Sequence, residues 1–276
     1  MSSSILHDGA RLSFDESVPQ QPAGHAFIFQ HGMGGDTSQP LGYLAGEAPT
    51  RVLAVDARGH GKSSDIQAGD ARFDILTDDV IAVADSLRVE RFVIGGISLG
   101  AGTAINVSVR YPERVSALVL CRPAWLDQPQ DVWNREVYNT IADLLETCAN
   151  AGSALEQFTS TAAYQQVLAT SPDAAESLCH QITRPRAAAN ATVLRSFPAD
   201  RPTSSAASWA DVAVPTLVIG HHDDPFHPFA IAEAYARIIP AADLITVPSK
   251  DADSAQFFSQ VRAAINDFLS RFAVRP

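Results

Sequence analysis

Short apolar runs recur along the chain: Phe27-Ile28-Phe29, Val52-Leu53-Ala54-Val55, Phe92-Val93-Ile94, Ala117-Leu118-Val119-Leu120, Thr216-Leu217-Val218-Ile219 and Leu244-Ile245-Thr246-Val247. They are often β-branched and do not alternate with polar residues. Runs of this kind read as strands buried on both faces of a sheet. The earlier stretch from Ile5 to Phe14 alternates more loosely and predicts an edge hairpin. Between the runs, Phe73, Leu76, Val80, Val83 and Leu87 recur at helical spacing, as do Phe257, Val261, Ile265, Phe268 and Phe272. Each set forms the buried stripe of an amphipathic helix, and its aromatic members are core residues. Strands alternating with helices predict an α/β fold with a mostly parallel sheet and right-handed crossovers.

The rhythm breaks between Ala124 and about Trp209. No strand-like run occurs there. Helical stretches around 141–145 and 164–168 are punctuated by Pro172, Pro185, Pro198 and Pro202. This predicts a helical lid, residues 124–209, inserted into one core domain made of residues 1–123 and 210–276. No internal repeat or low-complexity tract stands out.

Composition narrows the function classes. Twenty Lys and Arg against thirty-one Asp and Glu give a formal net charge of −11. That balance argues against nucleic-acid binding, which needs clustered cations, and against docking on an anionic membrane. No apolar run approaches the ~20 residues that span a bilayer. The first residues lack a basic region followed by an apolar core, so a cytoplasmic protein without a secretory signal is expected. Cys121, Cys148 and Cys179 are odd in number and widely spaced, which suits neither a disulfide framework nor a metal set. Neither a metal nor a cofactor is expected, and the expected partner is a small-molecule substrate.

Two motifs carry chemistry. Gly96-Ile97-Ser98-Leu99-Gly100 follows the run at 92–94 and precedes a stretch rich in small residues. This is G-x-S-x-G between a strand and a helix, a tight turn that projects the serine at the carboxyl end of the sheet. His31-Gly32-Met33-Gly34-Gly35 directly follows the run at 27–29. Its glycines leave backbone N–H groups free, so the N–H of Met33 and that of Leu99 are candidates for an oxyanion hole. A third segment, Asp56-Ala57-Arg58-Gly59-His60-Gly61-Lys62-Ser63, has the look of a phosphate loop but carries Asp where the first glycine is required.

With these residues the sequence resembles the α/β-hydrolase superfamily. The carriers are His31-Gly32-Met33-Gly34, Asp56 to Ser63, Gly96 to Gly100, Tyr111-Pro112-Glu113-Arg114-Val115, and Pro215 to Gly220 followed by Asp223-Asp224-Pro225. The resemblance implies an α/β-hydrolase fold with a lid after the strand at 117–120, Ser98 as nucleophile, and an acid after the strand at 216–219. Asp224 sits four residues before Pro228 and is favoured as that acid, while Asp223 fits an alternative spacing.

One departure dominates. The family places its catalytic histidine after the last strand, but all eight histidines here fall at or before His227. The loop from Val247 to Phe258 holds none. A serine hydroxyl needs a base within reach, and the constellation is defined by geometry, not chain order. His227, which shares the acid turn, is the first candidate; His221, His222, His31, His60 and His180 are the others. Candidate substrate-binding residues are His31 beside the oxyanion turn, Arg122 after the strand at 117–120, and Trp125 at the start of the lid. Arg122 is equally suited to pairing with a protein carboxylate. Trp133, Tyr138, Phe158 and Tyr164 are further candidates to line a pocket. The function expected is hydrolysis of a small ester, lactone or related acyl compound through an acyl-Ser98 intermediate. The alternatives are a ligand-binding or sensor protein with an impaired triad, and a lyase- or perhydrolase-like variant.

Overall fold

The structure, a computed structural model, describes residues 3–272. Its eight strands are β1 (Ser3–His7), β2 (Ala10–Ser17), β3 (Ala26–Gln30), β4 (Val52–Val55), β5 (Phe92–Ile97), β6 (Val115–Cys121), β7 (Thr216–Gly220) and β8 (Ala242–Thr246). They form one sheet in the order β1-β2-β4-β3-β5-β6-β7-β8. β1 and β2 are the expected hairpin, turning at Asp8-Gly9, and β2 joins β4 antiparallel. The remaining pairs are parallel. β3 to β7 are almost wholly buried, which is why their sequences show no alternation, whereas edge strand β8 is half-exposed.

Helices cover both faces. In chain order they are α1 (Ser38–Leu44), α2 (Phe73–Ser86), α3 (Leu99–Arg110), α4 (Val132–Thr147), α5 (Ala151–Thr159), α6 (Ala162–Thr170), α7 (Pro172–Thr183), α8 (Thr192–Ala199), α9 (Phe229–Ile238) and α10 (Lys250–Ser270). One apolar cluster joins Ile94, Leu118 and Val218 to α2, α3 and α9. The opposite face joins Phe27, Val119 and Leu217 to α1 and to the α10 stripe of Phe257, Val261, Ile265 and Phe268. α4 to α8 lie between β6 and β7 and share a cluster of their own around Ile141, Phe158, Leu178 and Leu194. Among the described residues no helix is long and apolar enough to cross a membrane.

Register positions the chemistry. Ile97 pairs with Cys121, and Cys121 with Ile219, so Ser98, Arg122 and Gly220 leave the sheet side by side. Backbone bonds continue one step past the strands: Ser98 N–H donates to the Cys121 carbonyl at 3.0 Å and Arg122 N–H to that of Ile219 at 2.8 Å.

Candidate active site

Ser98 stands at the turn between β5 and α3 with φ 55° and ψ −110°, a conformation that costs a non-glycine residue energy and is held by its surroundings. The flanking glycines permit it. A Cβ on Gly96 would collide with the Gly100 carbonyl, and one on Gly100 with the Gln30 carbonyl. The turn therefore packs backbone against backbone at the carboxyl edge of the sheet. Leu99 opens α3, so its N–H has no acceptor within the helix. The glycine turn after β3 comes close beside it, with a Cβ on Gly32 lying 3.5 Å from Ser98 Cβ. Gln39 Oε1 fixes that turn by accepting from Gly32 N–H at 2.7 Å. Met33 and Leu99, the two expected oxyanion donors, thus sit on turns that meet at Ser98.

The turn after β7 supplies the rest. Asp224 is buried, and its Oδ1 accepts from the N–H of Phe226 at 3.0 Å and of His227 at 3.2 Å. These bonds curl residues 224–227 so that the two side chains meet. His227 Nδ1 lies 2.8 Å from Asp224 Oδ2, and His227 Nε2 lies 2.8 Å from Ser98 Oγ. A carboxylate can only accept, so Nδ1 carries the proton and Nε2 is left to accept from the Ser98 hydroxyl. Of the six candidate histidines, His227 is the one hydrogen-bonded to Ser98. Asp223 is exposed, with φ 64°, and Asp224 is the buried member of the pair.

Arg122 explains how the acid stays charged in a buried place. Its Nη2 donates to Asp224 Oδ2 at 2.6 Å. The same nitrogen passes 3.3 Å from His227 Nδ1, but both atoms direct hydrogens at the carboxylate, so this is a contact and not a bond. Burial opposes ionisation of Asp224, yet the facing His227 and the Arg122 guanidinium hold its pKa well below the usual carboxylate range. Burial also lowers His227 below the ordinary histidine value of 6.5; Asp224 works against that fall and Arg122 adds to it. A neutral imidazole next to a serine hydroxyl, backed by an ionised carboxylate, can take up a proton at neutral pH.

The three expected substrate contacts are engaged elsewhere. Arg122 is committed to Asp224, because a buried guanidinium close to a carboxylate pairs with it. His31 is buried, donating from Nδ1 to the Gly32 carbonyl at 2.7 Å and accepting at Nε2 from Ala57 N–H at 3.0 Å. It braces the glycine turn after β3. Trp125 packs edge-on against Phe73, with its Nε1 donating to the Phe197 carbonyl at 3.2 Å, so it is a core residue. Of the other aromatics, Phe158 and Tyr164 pack on each other, while Trp133 and Tyr138 flank Phe226 of the acid turn. His180 is exposed on α7, and His60 is buried beside His31 with ring centroids 4.9 Å apart.

Several contacts at the site carry no local signal in the sequence. Gln181 of α7 donates from Nε2 to the Met33 carbonyl at 2.9 Å, tying α7 to the glycine turn after β3. Only about 20 Å³ remains open between Tyr138, Leu178, Gln181, Phe226 and His227. That is room for about one water molecule. The segment after β8 holds α7 from its other end. Asp251 accepts from the Ser171 hydroxyl and, at 2.7 Å, from Asp173 N–H, while Lys250 Nζ reaches Asp173 at 3.3 Å. Lys250 and Asp251 therefore clamp α7.

Comparisons with known proteins agree with this architecture. A sequence model described as alpha/beta hydrolase fold matches residues 25–252. A 3-oxoadipate enol-lactonase 2 of Acinetobacter baylyi is 28% identical over 205 residues, which make up 72% of this chain and 72% of that protein. The crystal structure of the enol-lactonase from Burkholderia xenovorans superposes with a TM-score of 0.76, covering 97% of this chain and 100% of that one; at 20% identity this likeness concerns the fold. A dihydrolipoyllysine-residue acetyltransferase component of the acetoin cleaving system of Pseudomonas putida is 36% identical over 107 residues, 38% of this chain but 28% of that protein's length.

Proposed function

Since the chain belongs to the α/β-hydrolase fold family, and is an enzyme of that class, we propose that it is a serine hydrolase of small esters, lactones or related acyl compounds that acts through an acyl-Ser98 intermediate. The observation that carries this reading is the hydrogen-bonded line from Ser98 through His227 to Asp224, with 2.8 Å at each step. Ser98 Oγ attacks the acyl carbon as His227 Nε2 takes its proton. The tetrahedral oxyanion forms between the N–H groups of Met33 and Leu99. Collapse expels the alcohol, which leaves with the proton from His227. Water then attacks the acyl-enzyme with His227 again as base, releasing the carboxylic acid and the Ser98 hydroxyl. Asp224 keeps Nδ1 protonated throughout and offsets the charge of the imidazolium. Residues 124–209 act as the lid that admits substrate and then excludes bulk water.

The enol-lactonase likeness supports the acyl class, and a lactone ring-opening would follow the same steps with the alcohol retained in the product. A purely ligand-binding role drew its force from the absence of a late histidine, and the hydrogen bond from Ser98 to His227 weighs against it. A fluorophosphonate probe tests the reading. The wild type is expected to be labelled on Ser98 and to hydrolyse 4-nitrophenyl acetate. Ser98→Ala should lose labelling, and His227→Gln should slow it by roughly 10²- to 10⁴-fold. Folded wild-type protein that takes no label and leaves esters intact would overturn it.

A further inference from the structure

A buried tyrosine usually keeps its hydroxyl bonded, because a phenol taken from water without a partner costs energy. Tyr235 does so, donating to the Trp125 carbonyl at 2.9 Å. Tyr138 on α4, 8% exposed, differs: its hydroxyl has no hydrogen-bond partner among the described residues. Unlike the Tyr43 hydroxyl, which is sealed in the core, it also keeps accessible surface. Its ring is held, with the centroid 5.4 Å from that of Phe226 in the acid turn. A held ring that ends in a free donor suits contact with a ligand.

The opening that Tyr138 lines belongs to the site. It is the space of about 20 Å³ that Arg122, Gln181, Asp224 and His227 also border. Room for about one water brings every group around it close to the same position. The His227 side chain is itself 14% accessible. Burial and the nearby Asp224 charge raise the Tyr138 pKa, with Arg122 opposing them, so the phenol keeps its proton at neutral pH and can donate it in a hydrogen bond. Two sides of the reaction can be told apart here. The oxyanion forms at Met33 and Leu99, whereas the leaving oxygen must come within reach of His227 Nε2, which hands it a proton. The space that Tyr138 lines is bounded by His227 and not by Met33 or Leu99.

We propose that Tyr138 is a leaving-group residue, whose O–H donates to the alcohol oxygen of the substrate as the acyl–oxygen bond breaks, and that the substrates are esters or lactones of ordinary, basic alcohols. The proposal rests on the hydrolase reading. When the tetrahedral intermediate collapses, the carbon–oxygen bond breaks, its electron pair stays on the alcohol oxygen, and His227 Nε2 supplies the proton. Tyr138 keeps its own proton and stabilises the charge building on that oxygen. Such help matters most for an alkoxide, a strong acceptor and a poor leaving group. It matters little for 4-nitrophenoxide, whose charge is spread over the ring, or for a sulfur leaving group, a weak acceptor.

Tyr138→Phe keeps the ring and removes the donor. The test uses substrates with one acyl group and different leaving groups: ethyl, trifluoroethyl and 4-nitrophenyl acetate, and S-ethyl thioacetate. In the variant kcat/KM should fall by about ten-fold or more for ethyl acetate, by less for the trifluoroethyl ester, and by less than about two-fold for the nitrophenyl ester and the thioester. A shifted α4 would instead slow all of them alike. The acidic limb of the pH profile should stay in place, which keeps His227 out of the effect. The Tm should stay within about 2 °C of the wild type, because the hydroxyl has no bond to lose in the free protein. Equal losses on every substrate, no loss, a moved acidic limb or a larger drop in Tm would each refute the role of Tyr138, while turnover by the wild type leaves the hydrolase reading standing. A wild type that hydrolyses the nitrophenyl ester and the thioester but neither alkyl ester would refute the substrate class. Folded wild-type protein that hydrolyses none of these substrates would overturn both readings.

Discussion

Asp224 divides its two oxygens between folding and chemistry. Oδ1 gathers two backbone N–H groups and shapes the turn, while Oδ2 faces His227 and Arg122. The proposed acid and base are therefore brought together by one short turn, and neither comes from the segment after β8. The electrostatics predict a pH profile. His227 serves as base only when neutral, and its pKa lies below 6.5, so kcat/KM should rise through a single ionisation below pH 6.5 and level off above it. Arg122 contributes to that depression. Arg122→Met should therefore move the acidic limb to higher pH, as well as lowering stability by about 3 kcal/mol by stranding part of a buried ion pair. A limb that stays in place in the variant would show that burial alone sets the His227 pKa.

Among the helices, α7 is held at both ends. Gln181 ties it to the glycine turn after β3, and Asp251 at the start of α10 ties its first turn through Ser171 and Asp173. We propose that turnover loosens and restores that hold, since the space beside His227 is about 20 Å³. Asp251→Ala should speed amide exchange in the first turn of α7 by about ten-fold and leave β5 and β6 unchanged. Exchange rates in α7 that do not respond would rule out the clamp. The helix α10 begins at Lys250, well before its apolar stripe, because Ser249 caps it by accepting from Ala252 N–H at 3.2 Å. A break in helical geometry at Asp253 separates that capping turn from the stripe, so the first turn serves α7 while the stripe packs on the sheet.

Across the protein, burial of neutral imidazoles makes stability depend on pH. His31, His60, His221 and His227 all have pKa values lowered by burial from 6.5. In the unfolded chain each takes up a proton near its ordinary value of about 6.5. As pH falls through that value the unfolded state binds more protons than the folded one, so stability must decline. The Tm, measured by calorimetry, is expected to drop as the pH is lowered from about 7.5 to about 5.5. A Tm that is constant or rising across that window would contradict the buried, neutral state of these four rings.

Much of the fold was legible in the alternation of apolar runs with helical stripes: the strands and the parallel winding. Such patterns record burial on one face or two, and each short segment carries its own record. The turn at Ser98 was legible for a similar reason, since its glycines answer to contacts with nearby backbone. The order of residues alone thus dictates the sheet, the serine turn and the absence of any histidine after His227. It took the folded arrangement to select which histidine meets Ser98, which aspartate is buried, and to turn Arg122 and Trp125 toward protein partners. Those outcomes depend on the register that brings Ser98, Arg122 and Gly220 to one level. They depend also on the carboxylate that folds its own turn, and both are long-range or three-dimensional conditions that no local pattern of residues records.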